Sequence, residues 1–172
     1  TTKELDTRLA EFPEGIFMLS VDGEDVAQVT VSPKNVPPFS QIKGFEQMRD
    51  LPVDQSSKTL WVTNIATKEG RRGKGFASTL LAAVLSWAAG AGYEFLKTGV
   101  SCDGFNDALE RGEVKSIQEY DARMMNPALR GLKKAAAQNG FSFEHTSSIP
   151  GYWPEDESSQ GHGVLITIGF KE

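Results

Sequence analysis

Residues 58–102 constrain the fold most. KTLWVTNIAT (58–67) is rich in β-branched and aromatic residues and reads as a central strand. KEGRRGKG (68–75) follows, and then a helix from Phe76 to about Ala89 whose apolar face carries Leu80, Leu81, Val84 and Trp87. EFLKTGVSC (94–102) is a further strand. A strand, a glycine-rich turn, a helix and a second strand make a βαβ unit, which places the two strands parallel.

The flanking segments fit a mixed sheet around that unit. Leu5, Leu9 and Phe12 recur at helical spacing, predicting a short amphipathic helix over 2–12. GIFMLSV (15–21) and VAQVTVS (26–32) flank Asp22-Gly23, the signature of a β-hairpin. Residues 33–58 are a proline-marked excursion with a helical turn or two around Ile42 to Met48. After a polar stretch at 103–115, helix is expected from about Ser116 to Gln138, broken or kinked by Pro127 near Met125–Asn126. FSFEHTSSI (141–149) and VLITIGF (164–170) read as two closing strands, antiparallel and joined by a long loop. The expectation is one α/β domain over residues 1–172.

Composition narrows the function. With 172 residues, 39% of them hydrophobic, the chain can bury one real core. Eighteen basic against 23 acidic residues give a net charge of −5, which repels a nucleic-acid backbone. The single cysteine, Cys102, excludes an internal disulfide, and two histidines leave little material for a zinc site, so no metal is expected. The longest apolar run, Leu80 to Ala91, falls short of the roughly 20 residues a bilayer requires. No signal peptide is visible, so a cytoplasmic protein with no membrane partner is expected.

The chemistry concentrates in Glu69 to Ser78. Small residues there let successive backbone N–H groups face one point, and the start of the following helix adds positive potential. Arg71, Arg72 and Lys74 add full charges. These residues suit a phosphate or pyrophosphate; a solvated basic turn would use them equally well. A P-loop needs G-x-x-x-x-G-K followed by Ser or Thr. Here Lys68 stands at the first glycine and Gly75 at the hydroxyl position. The dinucleotide fingerprint G-x-G-x-x-G would need glycine at Ser78.

Arg72-Gly73-Lys74-Gly75-Phe76-Ala77 does match Q/R-x-x-G-x-G/A. In this motif and in its order of elements, the chain resembles the GNAT superfamily of acyl-CoA N-acyltransferases. The resemblance implies a single-domain α/β (α+β) GNAT fold: a mixed central sheet with a β-hairpin, a βαβ coenzyme-binding unit and C-terminal antiparallel strands. It implies that the backbone of Arg72, Gly73, Lys74, Gly75, Phe76 and Ala77 binds the pyrophosphate of coenzyme A, with Ser78 close behind. Ile65, Ala66 and Thr67 would pair with the pantetheine arm, and a backbone N–H of that stretch would stabilise the thioester oxyanion. Asn126 would contact the pantetheine.

One position departs from the pattern. The family's tyrosine acid, four residues before the Gly-Phe pair, falls on Ala136. Tyr120 or Cys102 would be the substitutes, with ordinary packing as the competing role for Tyr120. No general base is identified: Asn64 orients water without accepting a proton, and Glu69 and His145 read as surface and structural residues. Tyr152-Trp153-Pro154-Glu155-Asp156-Glu157 would receive a cationic amine if it folded over the cleft. The implied activity is transfer of the acetyl group of acetyl-CoA to a primary amine in a ternary complex, with homodimerisation as a family habit. The alternatives are a CoA-binding domain without catalysis and an interaction module whose basic turn holds only incidental anions.

Overall fold

The Asp22-Gly23 turn sets the first strand pairing. The computed structural model describes residues 10–170. In it Ile16–Val21 (β1) and Glu24–Pro33 (β2) pair antiparallel across that turn. Asp22 and Gly23 both take positive φ, 53° and 79°, the left-handed pair that suits strand twist in a tight hairpin. The helix expected over 2–12 lies largely outside the described residues.

Four further strands complete one sheet: Thr59–Thr67 (β3), Phe95–Ser101 (β4), Ser142–His145 (β5) and Gly163–Gly169 (β6), in the order β1-β2-β3-β4-β6-β5. Only β3 and β4 are parallel, joined through helix Phe76–Gly90 as the βαβ reading requires. β5 and β6 pair antiparallel, as expected of the closing strands. β5 stops at His145, short of the expected 149, although Ile149 still bridges to Gly163.

In chain order the helices are Phe45–Arg49 (α1), Phe76–Gly90 (α2), Phe105–Glu110 (α3), Ile117–Ala122 (α4) and Pro127–Gln138 (α5). The helix expected from Ser116 is thus two helices. Met124 turns left-handed (φ 51°), and Pro127, which lacks an N–H, begins the second segment at its first position. The polar stretch at 103–115 contains α3, which its sequence periodicity had not revealed. No helix among the described residues is long and apolar enough to cross a membrane.

The strands' two-residue period divides the sheet into two faces. On one, Val29, Val31, Leu60, Val62, Leu96 and Ile166 meet the buried stripes of α2 (Leu81, Val84, Leu85, Ala88) and α5 (Leu129, Leu132, Ala135, Ala136). Each buried leucine or valine there contributes about 1.5–3 kcal/mol. On the other, Trp61, Leu165, Ile42, Met48 and Tyr152 form a second cluster, roofed by the 33–58 excursion and the 150s loop. Lys34 ties the excursion down: its buried Nζ donates to the carbonyls of Met48, Arg49 and Leu51, acceptors at the end of α1.

Candidate functional site

The parallel pair at the centre of the sheet is short. β3 and β4 pair only over Thr59–Trp61 and Phe95–Lys97. Beyond Lys97, β4 continues with β6 as far as Ser101, while β3 stays with β2 as far as Thr67. The two strands therefore separate, opening a slot from Val62 and Thr98 outward.

β3 carries an irregularity at the head of that slot. Val62 faces Val31 and Asn64 faces Thr30, leaving Thr63 without a partner residue. Such a bulge takes a backbone unit out of the ladder and re-aims it. The Thr63 hydroxyl donates to the Thr30 carbonyl, pinning the bulge to β2. Ile65, Ala66 and Thr67 follow, paired to Val29, Gln28 and Ala27, with their other edge toward the slot.

The loop after β3 delivers main-chain donors to the same end. Gly70, Gly73 and Gly75 take positive φ of 74°, 77° and 82°, and a Cβ added to any of them would meet open space. None of the amides from Arg72 to Ser78 has a backbone acceptor among the described residues; the first helical bond runs from Thr79 N–H to the Gly75 carbonyl. Successive unpaired N–H groups at a helix start form a concave anion cradle, so these residues fit a pyrophosphate. Arg71 and Lys68 are bound to Glu24 at the hairpin, and their hydrogen bonds hold its carboxyl below the usual range. Arg72 and Lys74 are exposed and make no ion pair among the described residues.

α5 borders the cradle: a Cβ at Gly131 would lie 3.4 Å from Ser78 Oγ, so the helices pack closely there. Asn126 caps α5, its Oδ1 accepting from the N–H groups of Ala128 and Leu129 while Nδ2 donates to the Ser101 carbonyl at 2.8 Å. The side chain thus joins α5 to the end of β4, with one Nδ2 hydrogen left over.

The other candidates are engaged in contacts of their own. Tyr120 is buried edge-on against Phe105, and its hydroxyl donates to the Asp103 carbonyl at 2.5 Å. Burial pushes its phenol up to about 12. Cys102 is fully buried, its Sγ 3.4 Å from Ser148 Oγ, and burial raises the thiol to about 11. Ser148 in turn donates to Asp121. Ala136 is buried in the α5 stripe. Of the loop read as an amine receiver, Tyr152 is core, Trp153 stacks on Phe45 with ring centroids 3.9 Å apart, and Asp156 accepts from Ser101 and Ser158. The Thr63 bulge and the burial of Tyr152 escaped sequence reasoning. A bulge shows only in the register, and no pattern in residues 150–163 marks an inward-facing ring.

The model of the Acetyltransferase (GNAT) family matches residues 1–109. Among solved structures, the GphF GNAT-like decarboxylase in complex with isobutyryl-CoA aligns with a TM-score of 0.76 at 21% identity, over 99% of this chain and 86% of that one. The loading GNATL domain of CurA from Lyngbya majuscula aligns at 0.75 and 20% identity, over 99% and 83%. The ribosomal-protein-S18-alanine N-acetyltransferase from Escherichia coli aligns at 0.58 and 12% identity, over 100% and 78%. At these identities the likeness is one of fold. No curated protein matches the sequence.

Proposed function

The chain belongs to the GNAT acetyltransferase family, and on that premise we propose that it is an N-acetyltransferase, passing the acetyl group of acetyl-CoA to a primary amine within a ternary complex. The observation that carries this reading is the convergence of the open β3–β4 slot, the Thr63 bulge and the unpaired amides of residues 72–78.

On this reading the amides of Arg72 to Ala77 hold the pyrophosphate, Ser78 stands close behind, and Arg72 and Lys74 supply attraction. Ile65, Ala66 and Thr67 hold the pantetheine by main-chain pairing, as an added strand would be held. The coenzyme supplies the acyl group already activated as a thioester. A backbone N–H of the bulged stretch donates to the thioester oxygen, where a preorganised donor is worth a few kcal/mol on the barrier. With Ala136 at the family's tyrosine position, positioning and oxyanion stabilisation carry the rate.

Calorimetric titration with acetyl-CoA and CoA tests the coenzyme assignment. Micromolar binding is expected, followed by thiol release when amines are screened. A folded protein that binds neither removes the reading.

A second reading is favoured by the comparisons with GphF and CurA, whose TM-scores exceed the 0.52–0.58 of the acetyltransferase structures. It is decarboxylation of an acyl-CoA or loading of its acyl group. Loss of CO2 from a malonyl thioester breaks the bond to the carboxylate and leaves an enolate that takes a proton from solvent at its α-carbon. The step needs a donor to the enolate oxygen, which the backbone N–H of the bulged stretch offers, and no amine to deprotonate. Malonyl-CoA incubated without an amine tests the second reading: CO2 release supports decarboxylation, and an intact thioester removes it. Thiol release from acetyl-CoA that depends on an added amine supports the first.

A further inference from the structure

Among the described residues, four buried side-chain polar atoms lack a hydrogen-bond partner, and three lie in one place: Trp61 Nε1, Tyr152 Oη and Trp153 Nε1. All three residues belong to the apolar cluster on the α1 face of the sheet. Buried donors nearly always find acceptors, because an unmade hydrogen bond leaves the full desolvation penalty in place.

Tyr152 is fully buried, and its ring lies in a trough made by two glycines on adjacent strands. A Cβ at Gly163 would strike the base of the ring, 2.4 Å from Cδ1, and a Cβ at Gly99 would strike the hydroxyl, 2.1 Å from Oη. Gly163 pairs with Ser101, at the mouth of the slot, whereas Gly99 stands two residues beyond the last β3–β4 pair, Trp61 with Lys97. The ring therefore crosses from Gly163 on β6 to Gly99 on β4, so that its hydroxyl lies over the strand bordering the head of the slot, on the face opposite α2. Burial holds its pKa well above the ordinary tyrosine value, so it remains an O–H donor through the neutral range.

We propose that Tyr152 Oη donates a hydrogen bond to the acyl oxygen of the bound thioester at the head of the β3–β4 slot. The inference rests on the acyl-CoA reading and adds a side-chain donor to the backbone donor of the bulge. It also accounts for a tyrosine hydroxyl without a partner beside a strand that has opened.

The test is Tyr152→Phe, which keeps the ring and removes only the hydroxyl, with acetyl-CoA and CoA titrated in parallel. Wild type is expected to bind acetyl-CoA more tightly than CoA. The variant should keep its CoA affinity and lose about fivefold toward acetyl-CoA, the scale of one ordinary hydrogen bond. Its thermal midpoint should be equal or higher, since an unpartnered group has gone, so weaker binding cannot be assigned to unfolding. Gly99→Ala provides an independent variant: its Cβ displaces the hydroxyl, and the same selective loss is expected. If one variant fails to fold, the other decides through the carbonyl resonance of bound 13C-labelled acetyl-CoA. A smaller downfield shift than in wild type supports the Tyr152 hydrogen bond, and an equal shift, which the backbone donor alone would give, overturns it. An acetyl-CoA to CoA ratio unchanged in Tyr152→Phe, or no preference in wild type, also overturns the proposal. Failure of both ligands to bind folded wild type is a separate result, which strikes the acyl-CoA reading itself.

Discussion

Asn126 shows how much one side chain can hold. Its carboxamide caps α5 and ties that helix to β4 at the mouth of the slot. Asn126→Ala is therefore expected to cost about 1–3 kcal/mol in urea unfolding, more than a surface cap, because the Ser101 carbonyl loses its donor as well. A loss below about half a kcal/mol would mean that the two elements dock without it. Tyr120 has its hydroxyl proton engaged by the Asp103 carbonyl, a geometry that favours packing over acid catalysis. Tyr120→Phe should lower stability by about 1 kcal/mol while coenzyme affinity and turnover hold. A selective fall in turnover would restore Tyr120 as the acid.

The working element is the loop between β3 and α2, held at its base and open at its tip. Arg71 and Lys68 bind Glu24, anchoring the base to the hairpin, and Arg72 and Lys74 are left for the anion. Reversing both charges (Arg72→Glu with Lys74→Glu) should weaken CoA binding about tenfold or more at low salt and less at high salt, as screened attraction requires. An affinity loss independent of salt would point to contacts other than charge. Gly75 is a poor place to test the cradle, since its φ of 82° strains any replacement. The tie itself is pH-dependent. Hydrogen bonds from Lys68 and Arg71 depress the folded pKa of Glu24, so the tie is complete above the ordinary carboxylate range, about 4.3, and is lost as pH falls through the depressed value. Glu24→Gln should accordingly bind CoA more weakly than wild type near neutrality, and the difference should vanish in acid. A difference that persists after the pH has fallen through the depressed value would show that the carboxylate charge is not its source.

At the scale of the whole molecule, the sheet is clamped from two sides with different materials. α2 and α5 cover one face with aliphatic side chains, while the other is roofed by an excursion that depends on a buried lysine. Lys34→Met should therefore destabilise by about 2 kcal/mol or more, because three carbonyls lose one donor. Hydrogen exchange should rise over residues 39–54 before it rises in β3. Equal protection in both regions would show that the roof folds independently of that contact.

The sequence alone was enough for the parts governed by local chemistry. The Asp22-Gly23 hairpin, the βαβ unit and the break before Pro127 follow from turn residues, two- and 3.6-residue periods and a missing N–H, none of which needs a distant partner. The glycines and basic residues at 70–75 were legible for the same reason, because a positive φ and a helix start are properties of a short segment. Tertiary structure alone decided the rest. The slot exists because β4 follows β6 while β3 follows β2, and the Thr63 bulge is a mismatch between two strands, invisible in either one. Tyr152 lies inside because glycines at 99 and 163, far apart in the chain, come diagonally opposite each other on β4 and β6. Such features depend on register between distant segments, and register is settled only when the faces of the sheet are packed.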